Sequence, residues 1–293
     1  MQQTTVIPRR DPSDLRKERG FAFLMYAALG AAGISLAALV IQFVSDGAGA
    51  LSMELLTNFP SKISPETSGV KSALYGTVYL MLLTAVFVIP VGIATAIYLE
   101  EYADRSKWFN RLIEVNIQNL ASVPSVVYGL LGLAFIVRGP LSLGRTLLAG
   151  AITLGLLVLP VVIIVAREAI RAVPPSIRDA SLALGATKWQ TISKQVLPGS
   201  IAGIATGVIL ALSRAIGETA PLIVIGAAVS PRFLPDGINS EFTALPIQIF
   251  AFSKDADPQF IELASATIIV LMVLLLAMNS VAIFLRNRFE QKW

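Results

Sequence analysis

Apolar stretches long enough to cross a membrane constrain this sequence more than any other feature. Each reaches the roughly 20 residues with which a helix crosses about 30 Å of hydrocarbon. The six charge-sparse stretches are 20–45, 72–99, 115–137, 146–166, 198–229 and 263–285. Hydrophobic residues make up 55% of the 293 residues and charged residues 14%, which is more apolar surface than one soluble globule can bury. The sequence therefore predicts an all-α polytopic membrane protein with six transmembrane helices.

The basic residues predict how these helices are oriented. If the N-terminus is cytoplasmic, 16 of the 23 Lys and Arg residues lie on the cytoplasmic side, six lie outside, and Arg214 lies within the membrane. The positive-inside rule then places both termini and the loop 167–198 in the cytoplasm.

The connections between the stretches predict four regions. Residues 1–19 are polar and basic and are expected to form a disordered cytoplasmic tail. Residues 20–70 hold the first transmembrane helix and an external loop, and this helix is too long for a cleaved signal peptide. Residues 71–285 form the membrane core, and 286–293 form a cytoplasmic tail.

The loop 167–198 is a polar segment between two apolar runs, and its proline, glycine and helix-capping residues predict two short helices. Pro174 and Pro175 end the preceding helix, and Ser176 with Asp179 has the spacing of a capping box. Gly185 supplies the left-handed residue that ends this first helix.

A second capping box, formed by Thr187 and Gln190, starts the second helix, which is expected to run to Val196 and stop before Pro198. The apolar positions of each helix are three, four or seven residues apart, so each helix has one apolar face. These positions are Ile177, Ala180 and Leu184 on the first helix, and Trp189, Ile192 and Val196 on the second. Such faces indicate a docking loop, and the alternative is a solvated connector.

The stretch 198–229 combines small residues with charge. A stripe of small residues lets another helix approach closely, so this face is expected to meet a partner helix, at the place where two subunits face each other. It consists of Gly199, Gly203, Gly207 and Ala211. Arg214 and Glu218 continue the same face, are four residues apart and can pair with each other. Charges within a membrane mark substrate pathways, and a guanidinium fits the oxygens of an anion, so the pair is interpreted as an anion station. The alternative is an ion pair that only fixes helix packing.

Prolines within the apolar stretches predict irregularities. Pro90 and Pro160 are expected to kink the second and fourth spans, Pro124 to break the third, and Gly217 with Pro221 to loosen the fifth.

Several chemistries are disfavoured by what the sequence lacks. It has no cysteine and no histidine, so disulfides, thiol chemistry and zinc or haem ligation are not expected. It has no G-x-x-x-x-G-K-[ST] motif for nucleotide hydrolysis. An ion-coupled secondary carrier would favour more intramembrane acids and an internal repeat, and an intramembrane enzyme a nucleophile with its base.

The loop also resembles a known signature. The order Asp179-Ala180-Ser181, then Gly185, then Leu197-Pro198 resembles the EAA motif of permease subunits of bacterial ABC importers, with Asp in place of Glu, Ser in place of the second Ala, and Gln195 where Ile is usual. Four segments within 116–250 are similar to the PstA family of phosphate-specific permeases. They are NLASVPSVVYGLLGL, ALGATKWQTI, SRAIGETAPLIVIGA and TALPIQIF.

The resemblance implies a type I ABC importer permease in the bacterial inner membrane that moves inorganic phosphate by alternating access. The implied partners are a PstC-like permease subunit, two copies of a PstB-like ATPase that hold ATP and Mg, and a PstS-like periplasmic phosphate-binding protein. The chain itself is expected to bind no cofactor. Another oxyanion, sulfate or molybdate, is the alternative substrate.

Site residues follow from the same resemblance. Arg214 and Glu218 are assigned to the substrate pathway. The residues assigned to ATPase coupling are Asp179, Ala180, Leu184, Gly185, Ala186, Thr187, Lys188, Trp189 and Ile192.

Overall fold

The computed structural model describes residues 12–104 and 106–289, and this part of the chain is almost entirely helical. An isolated antiparallel bridge joins Thr146 and Glu241. The α-helices of the described ranges are α1 Pro12–Gly47, α2 Met53–Thr57, α3 Lys71–Ile97, α4 Trp108–Leu120, α5 Ser125–Leu131, α6 Leu147–Arg171, α7 Pro175–Ala183, α8 Lys188–Thr191, α9 Leu197–Ala215, α10 Ala220–Val224, α11 Leu245–Ser253 and α12 Pro258–Phe289.

Five helical runs in the described ranges are long and apolar enough to cross a membrane, and a bent pair brings the number to six. The five runs are Lys17–Ala50, Lys71–Tyr102, Leu147–Arg171, Lys188–Ala215 and Pro258–Arg288. The predicted all-α membrane fold is therefore confirmed.

The third predicted span, 115–137, is broken. Trp108–Leu120 and Ser125–Val137 meet at 111°, so this stretch is not one straight helix, and the break predicted at Pro124 is confirmed. Proline disfavours helical backbone at the residue before it and has no N–H for a helical hydrogen bond, which explains why the helix stops there. By contrast, α3 and α6 continue through Pro90 and Pro160.

The helix predicted to stop before Pro198 continues instead. A π-helical segment, Ile192–Val196, joins α8 to α9. The Leu197 N–H donates to the Ile192 carbonyl, and Pro198, which has no N–H to donate, follows within the first turn of α9. The predicted stop is therefore wrong.

The span predicted over 198–229 is shorter than expected. Helix α9 ends at Ala215, and the chain resumes as the short α10 before Gly226 turns it with φ +85°. The loosening predicted near Gly217 is confirmed, and a continuous span is wrong.

Helix α9 packs closely against α6 of the same chain. A Cβ atom on Gly203 would lie 2.8 Å from the Cβ of Ala169, and one on Gly207 would lie 2.0 Å from Cγ1 of Val165. Ala211 is buried as well. The expected close approach of another helix is therefore confirmed, but that helix is α6 of the same chain, and the expectation that the stripe lies where two subunits face each other is wrong.

Helices α3, α6 and α9 form the centre of the bundle, and one buried apolar cluster joins Val88, Val162 and Val208. Helix α1 packs against α12 and is otherwise exposed in the single chain.

The two ends of the chain extend the helices. Helix α1 already begins at Pro12, so residues 12–19 of the tail predicted as disordered are helical, and α12 runs on to Phe289. The remaining tail residues, and Arg105 among the basic residues counted above, lie outside the described residues.

Candidate functional site

The first helix of the loop 167–198 begins without the predicted cap. Helix α7 starts at Pro175, directly after Pro174, and no side chain caps it. Proline suits the first helical position, and its presence there places Ser176 inside the helix, where it cannot serve as the N-cap. The capping box predicted for Ser176 and Asp179 is therefore wrong.

The elbow between the two loop helices is as predicted. Gly185 has φ +85°, and the Ala186 N–H donates to the Ser181 carbonyl at 3.2 Å across the end of α7. This hydrogen bond across a left-handed residue is how a glycine satisfies the last carbonyls of a helix.

The second capping box is confirmed. The Gln190 N–H donates to Oγ1 of Thr187 at 3.2 Å, and the Thr187 N–H donates to Oε1 of Gln190 at 2.8 Å. The hydroxyls of Ser181 and Thr191 lie 2.9 Å apart and join the two helices. The loop is an ordered helix-glycine-helix unit.

The outer surface of this unit is apolar at its tip. Leu184 is 90% exposed and Trp189 is 58% exposed. A groove of about 500 Å³ lies between the helices. It is lined by Ile177, Ala180, Ser181, Leu184, Ala186, Gln190, Lys194 and Gln195.

The remaining residues predicted to contact the ATPase divide into two groups. Asp179, Thr187 and Lys188 are exposed. Ile192 is 1% exposed, because it lies in the π-helical segment that turns back into the bundle. The expectation that Ile192 and Val196 lie on an exposed apolar face is therefore wrong, since Val196 is buried in the core in the same way.

The intramembrane charges form the pair that their spacing predicted. Nε of Arg214 lies 3.5 Å from Oε1 of Glu218. The Arg214 side chain is 56% exposed in the single chain and that of Glu218 17%. Ala211 and Ala215, which flank Arg214 on α9, are buried in the apolar core. A guanidinium has five N–H donors, so pairing through Nε leaves donors for a further anion.

The helical backbone is interrupted beside this pair. The chain leaves helical geometry between α9 and α10, beside Glu218, and α10 packs against α5, which follows the break at Pro124. Irregular backbone at membrane depth occurs where it is covered by protein or lines a water-filled cavity. Two interrupted helical segments thus meet next to this charged pair.

Sequence reasoning missed an ionic network at the base of the loop. Its acids lie in the π-helical segment Tyr98–Tyr102, which continues α3. Nε and Nη2 of Arg171 donate to the two carboxylate oxygens of Glu100, each at 3.0 Å. Nε and Nη2 of Arg178 donate to Oε1 of Glu101 at 3.0 and 2.9 Å. The available signal was a pair of adjacent acids at the end of an apolar span, on the same side as a basic loop.

Arg167 belongs to the same network although it was counted with the residues of the loop. Only 5% of this residue is exposed, and its Nη2 lies 2.8 Å from Oε1 of Glu114 and 3.6 Å from Oε2 of Glu100. The carboxylates therefore face arginines, and no group of three acids suited to a metal ion occurs within the described ranges.

The turn between the Tyr98–Tyr102 segment and α4 is held by Asp104. Its carboxylate accepts hydrogen bonds from the hydroxyl of Ser106 at 2.7 Å and from the Ser106 N–H at 2.9 Å. These bonds favour the ionised form and lower the pKa of Asp104. Nδ2 of Asn110 donates to the Asp104 carbonyl at 3.0 Å, which fixes the start of α4.

Known proteins are similar to this chain in sequence and in fold. The family model described as "Binding-protein-dependent transport system inner membrane component" matches residues 88–293. The phosphate transport system permease protein PstA of Yersinia pestis is 33% identical over 83% of this chain and 81% of its own. The probable ABC transporter permease protein YqgI of Bacillus subtilis (strain 168) is 33% identical over 73% of this chain and 72% of its own.

Solved structures share the fold at lower identity. A chain of a bacterial alginate ABC transporter, in complex with an alginate-bound periplasmic protein, has a TM-score of 0.68 and 16% identity over 94% of this chain and 98% of that chain. A chain of the MetNI methionine ABC transporter in an inward-facing conformation has a TM-score of 0.59 and 17% identity over 76% and 95%. Permeases of this kind are transport subunits that work with a separate ATPase and a periplasmic binding protein. This chain belongs to the inner-membrane permease components of binding-protein-dependent ABC importers and, within them, to the family that contains the PstA permeases.

Proposed function

We propose that this chain is the PstA-type subunit of an importer that moves inorganic phosphate across the inner membrane, driven by a separate ATPase. The observation that carries the proposal is the exposed guanidinium of Arg214 beside Glu218, in a chain related to phosphate permeases. A guanidinium binds phosphate oxygens through two parallel hydrogen bonds and stays charged at every physiological pH.

In the proposed mechanism, Arg214 exchanges its carboxylate partner for the transported phosphate. Glu218 neutralises Arg214 when the pathway is empty, and an entering phosphate replaces the carboxylate. Because the Glu218 carboxylate and the bound anion repel each other, Glu218 lowers the affinity of the site for phosphate and favours its release. Arg214 thus acts as a transient station and not as a tight binding site.

The proposed partners are a PstC-like permease subunit, two copies of a PstB-like ATPase that hold ATP and Mg, and a PstS-like periplasmic binding protein. Both termini and the loop 167–198 face the cytoplasm in this arrangement. Leu184 and Trp189 supply the apolar surface for the ATPase, because large exposed apolar side chains at a rigid tip are suited to a protein contact.

The test is transport by the whole assembly in proteoliposomes, with ATP inside and the loaded binding protein outside. We expect accumulation of radiolabelled phosphate that requires ATP and the binding protein, with a tenfold excess of sulfate or molybdate having little effect. Transport of sulfate or molybdate without phosphate would identify the alternative oxyanion. Accumulation driven by an ion gradient without ATP would identify a secondary carrier and contradict the proposal.

A further inference from the structure

Three contacts join one short segment to the coupling loop. In the π-helical segment Tyr98–Tyr102, Glu100 binds Arg171 at the end of α6 and Glu101 binds Arg178 on α7. The ammonium of Lys188 on α8 lies 4.8 Å from the centre of the Tyr102 ring, within cation–π distance. Consecutive residues of one segment therefore contact α6, α7 and α8 in turn.

We propose that Tyr98–Tyr102 is a rigid clamp that holds the coupling loop on α3, and that Glu100, Glu101 and Tyr102 are positioning residues for energy coupling. The proposal rests on the proposed function only in that the loop is taken to receive force from the ATPase. It adds the route by which that force enters the membrane helices.

The carboxylates of the clamp are shielded from water. The Glu100 side chain is 8% exposed and that of Glu101 10%, whereas Glu168, which also pairs with Arg171, is 63% exposed. An exposed pair contributes little, but removing one partner of a buried pair strands the other charge at a substantial cost. The Arg178 side chain is 20% exposed, so the Glu101–Arg178 pair is shielded on both sides and is held more firmly than the surface pair. Arg171 is 42% exposed, so its pair with Glu100 is shielded on the carboxylate side alone.

Arg178 ties the clamp to a second helix. Besides binding Glu101, its guanidinium donates to the carbonyls of Ile170 and Val173, at 2.9 and 2.5 Å. These carbonyls lie at the last turn of α6 and just beyond it, where helix carbonyls lack an i+4 N–H partner. One side chain on the first coupling helix thus joins the ends of α3 and α6.

The π-helical turn makes this arrangement possible. The Ala103 N–H donates to the Tyr98 carbonyl at 2.8 Å, which is the wide i→i+5 bond, and Leu99 is buried while Tyr98 and Tyr102 are exposed. Such turns are rare and are frequent at functional sites. Helix α3 packs along α6, which packs along α9. In the proposed route, movement of the loop passes through the clamp and these contacts towards Arg214.

The first experiment compares carboxylate variants in the purified complex that contains the ATPase. Glu101→Asp keeps the charge but withdraws the carboxylate by one methylene, so the complex assembles without a stranded arginine. We expect basal ATPase activity to remain while stimulation by the loaded binding protein falls about fivefold or more. Glu168→Gln is the matched control, since it removes an exposed partner of Arg171, and it should behave as wild type.

The second experiment replaces the ion pair by a covalent bridge. The chain has no cysteine, so Glu101→Cys with Arg178→Cys introduces two addressable thiols. We expect this variant to be uncoupled when reduced and to regain stimulation when a short bifunctional thiol reagent joins the two positions. A joined complex that remains uncoupled, or Glu101→Asp with unchanged stimulation, would overturn the clamp.

The clamp and the proposed function fail in different ways. If the chain were not coupled to an ATPase, the wild-type complex would show no stimulation by the binding protein at all. If only the clamp were wrong, the wild type would be stimulated and the Glu101 variants would match Glu168→Gln.

Discussion

Gly207 on α9 lies directly against Val165 on α6: a Cβ on the glycine would lie 2.0 Å from Cγ1 of the valine. Val165 lies on α6 and Gly207 on α9, so the contact joins the helix that enters the coupling loop to the one that leaves it. The orientation of α9, the helix on which Arg214 lies, is therefore set by packing within the chain.

Gly207→Leu should destabilise the subunit, because its side chain must displace Val165. Overpacking of this kind costs about 1–3 kcal/mol. The measurement is the thermal midpoint and the monodisperse yield in detergent. Gly30→Leu is the control, since nothing lies within 4 Å of a Cβ at that position on α1. Equal stability of the two variants would contradict the close contact.

Gly185→Leu should leave the protein inserted and uncouple it. No atom lies within 4 Å of a Cβ at Gly185, so the effect comes from the φ of +85° and not from a clash. A left-handed conformation costs a branched residue about 1–2 kcal/mol. Relief of this strain changes the orientation of the second helix and moves Trp189 with it. ATPase stimulation by the loaded binding protein, at equal membrane abundance, is the readout.

Gly185→Asn is the matched control for this elbow, because asparagine tolerates the left-handed region better than leucine. It should retain most of the stimulation. Normal stimulation and uptake in Gly185→Leu would show that the loop is a solvated connector.

Arg214→Lys should reduce phosphate uptake, and Arg214→Gln should nearly abolish it. Lysine keeps the charge but lacks the planar fork, whereas glutamine removes the charge as well. Radiolabelled phosphate uptake is measured beside the yield of intact complex. Full uptake by Arg214→Gln would contradict the anion station.

Glu218→Gln distinguishes a transport role from a packing role in the same assay. If Glu218 neutralises an empty site, its amide leaves assembly intact and slows release of the anion. If the pair only fixes packing, Glu218→Gln and both Arg214 variants lose the complex together.

Reporter fusions after Lys71 and after Arg232 should give a periplasmic signal. Sixteen basic residues then lie on the cytoplasmic side and six outside, as the positive-inside rule requires. A fusion after Arg171 is the internal control and should report the cytoplasm. A cytoplasmic signal after Lys71 or Arg232 would reverse the topology and remove the docking role of the loop.

Several local features were readable from the sequence, although the capping box predicted at Ser176 and the helix stop predicted before Pro198 were wrong. The break at Pro124, the left-handed Gly185 and the capping box of Thr187 and Gln190 depend on residues within one turn. The Arg214–Glu218 pair follows from helical spacing. Apolar runs likewise determine that the chain is helical in a membrane, because only internal hydrogen bonding satisfies the backbone there.

Tertiary structure decided which helix faces meet. Spacing alone showed that Gly203 and Gly207 share a stripe, but whether that stripe meets a partner or α6 depends on how the whole bundle packs. Ile192 had the period of an exposed apolar face, and the π-helical turn buried it instead. The pairing of Glu101 with Arg178 joins residues 77 positions apart, and no local pattern encodes a contact across that separation. The sequence by itself therefore determined the membrane helices, the glycine elbow and the charged pair, whereas the packed bundle decided their partners, because long-range contacts depend on the simultaneous placement of several helices.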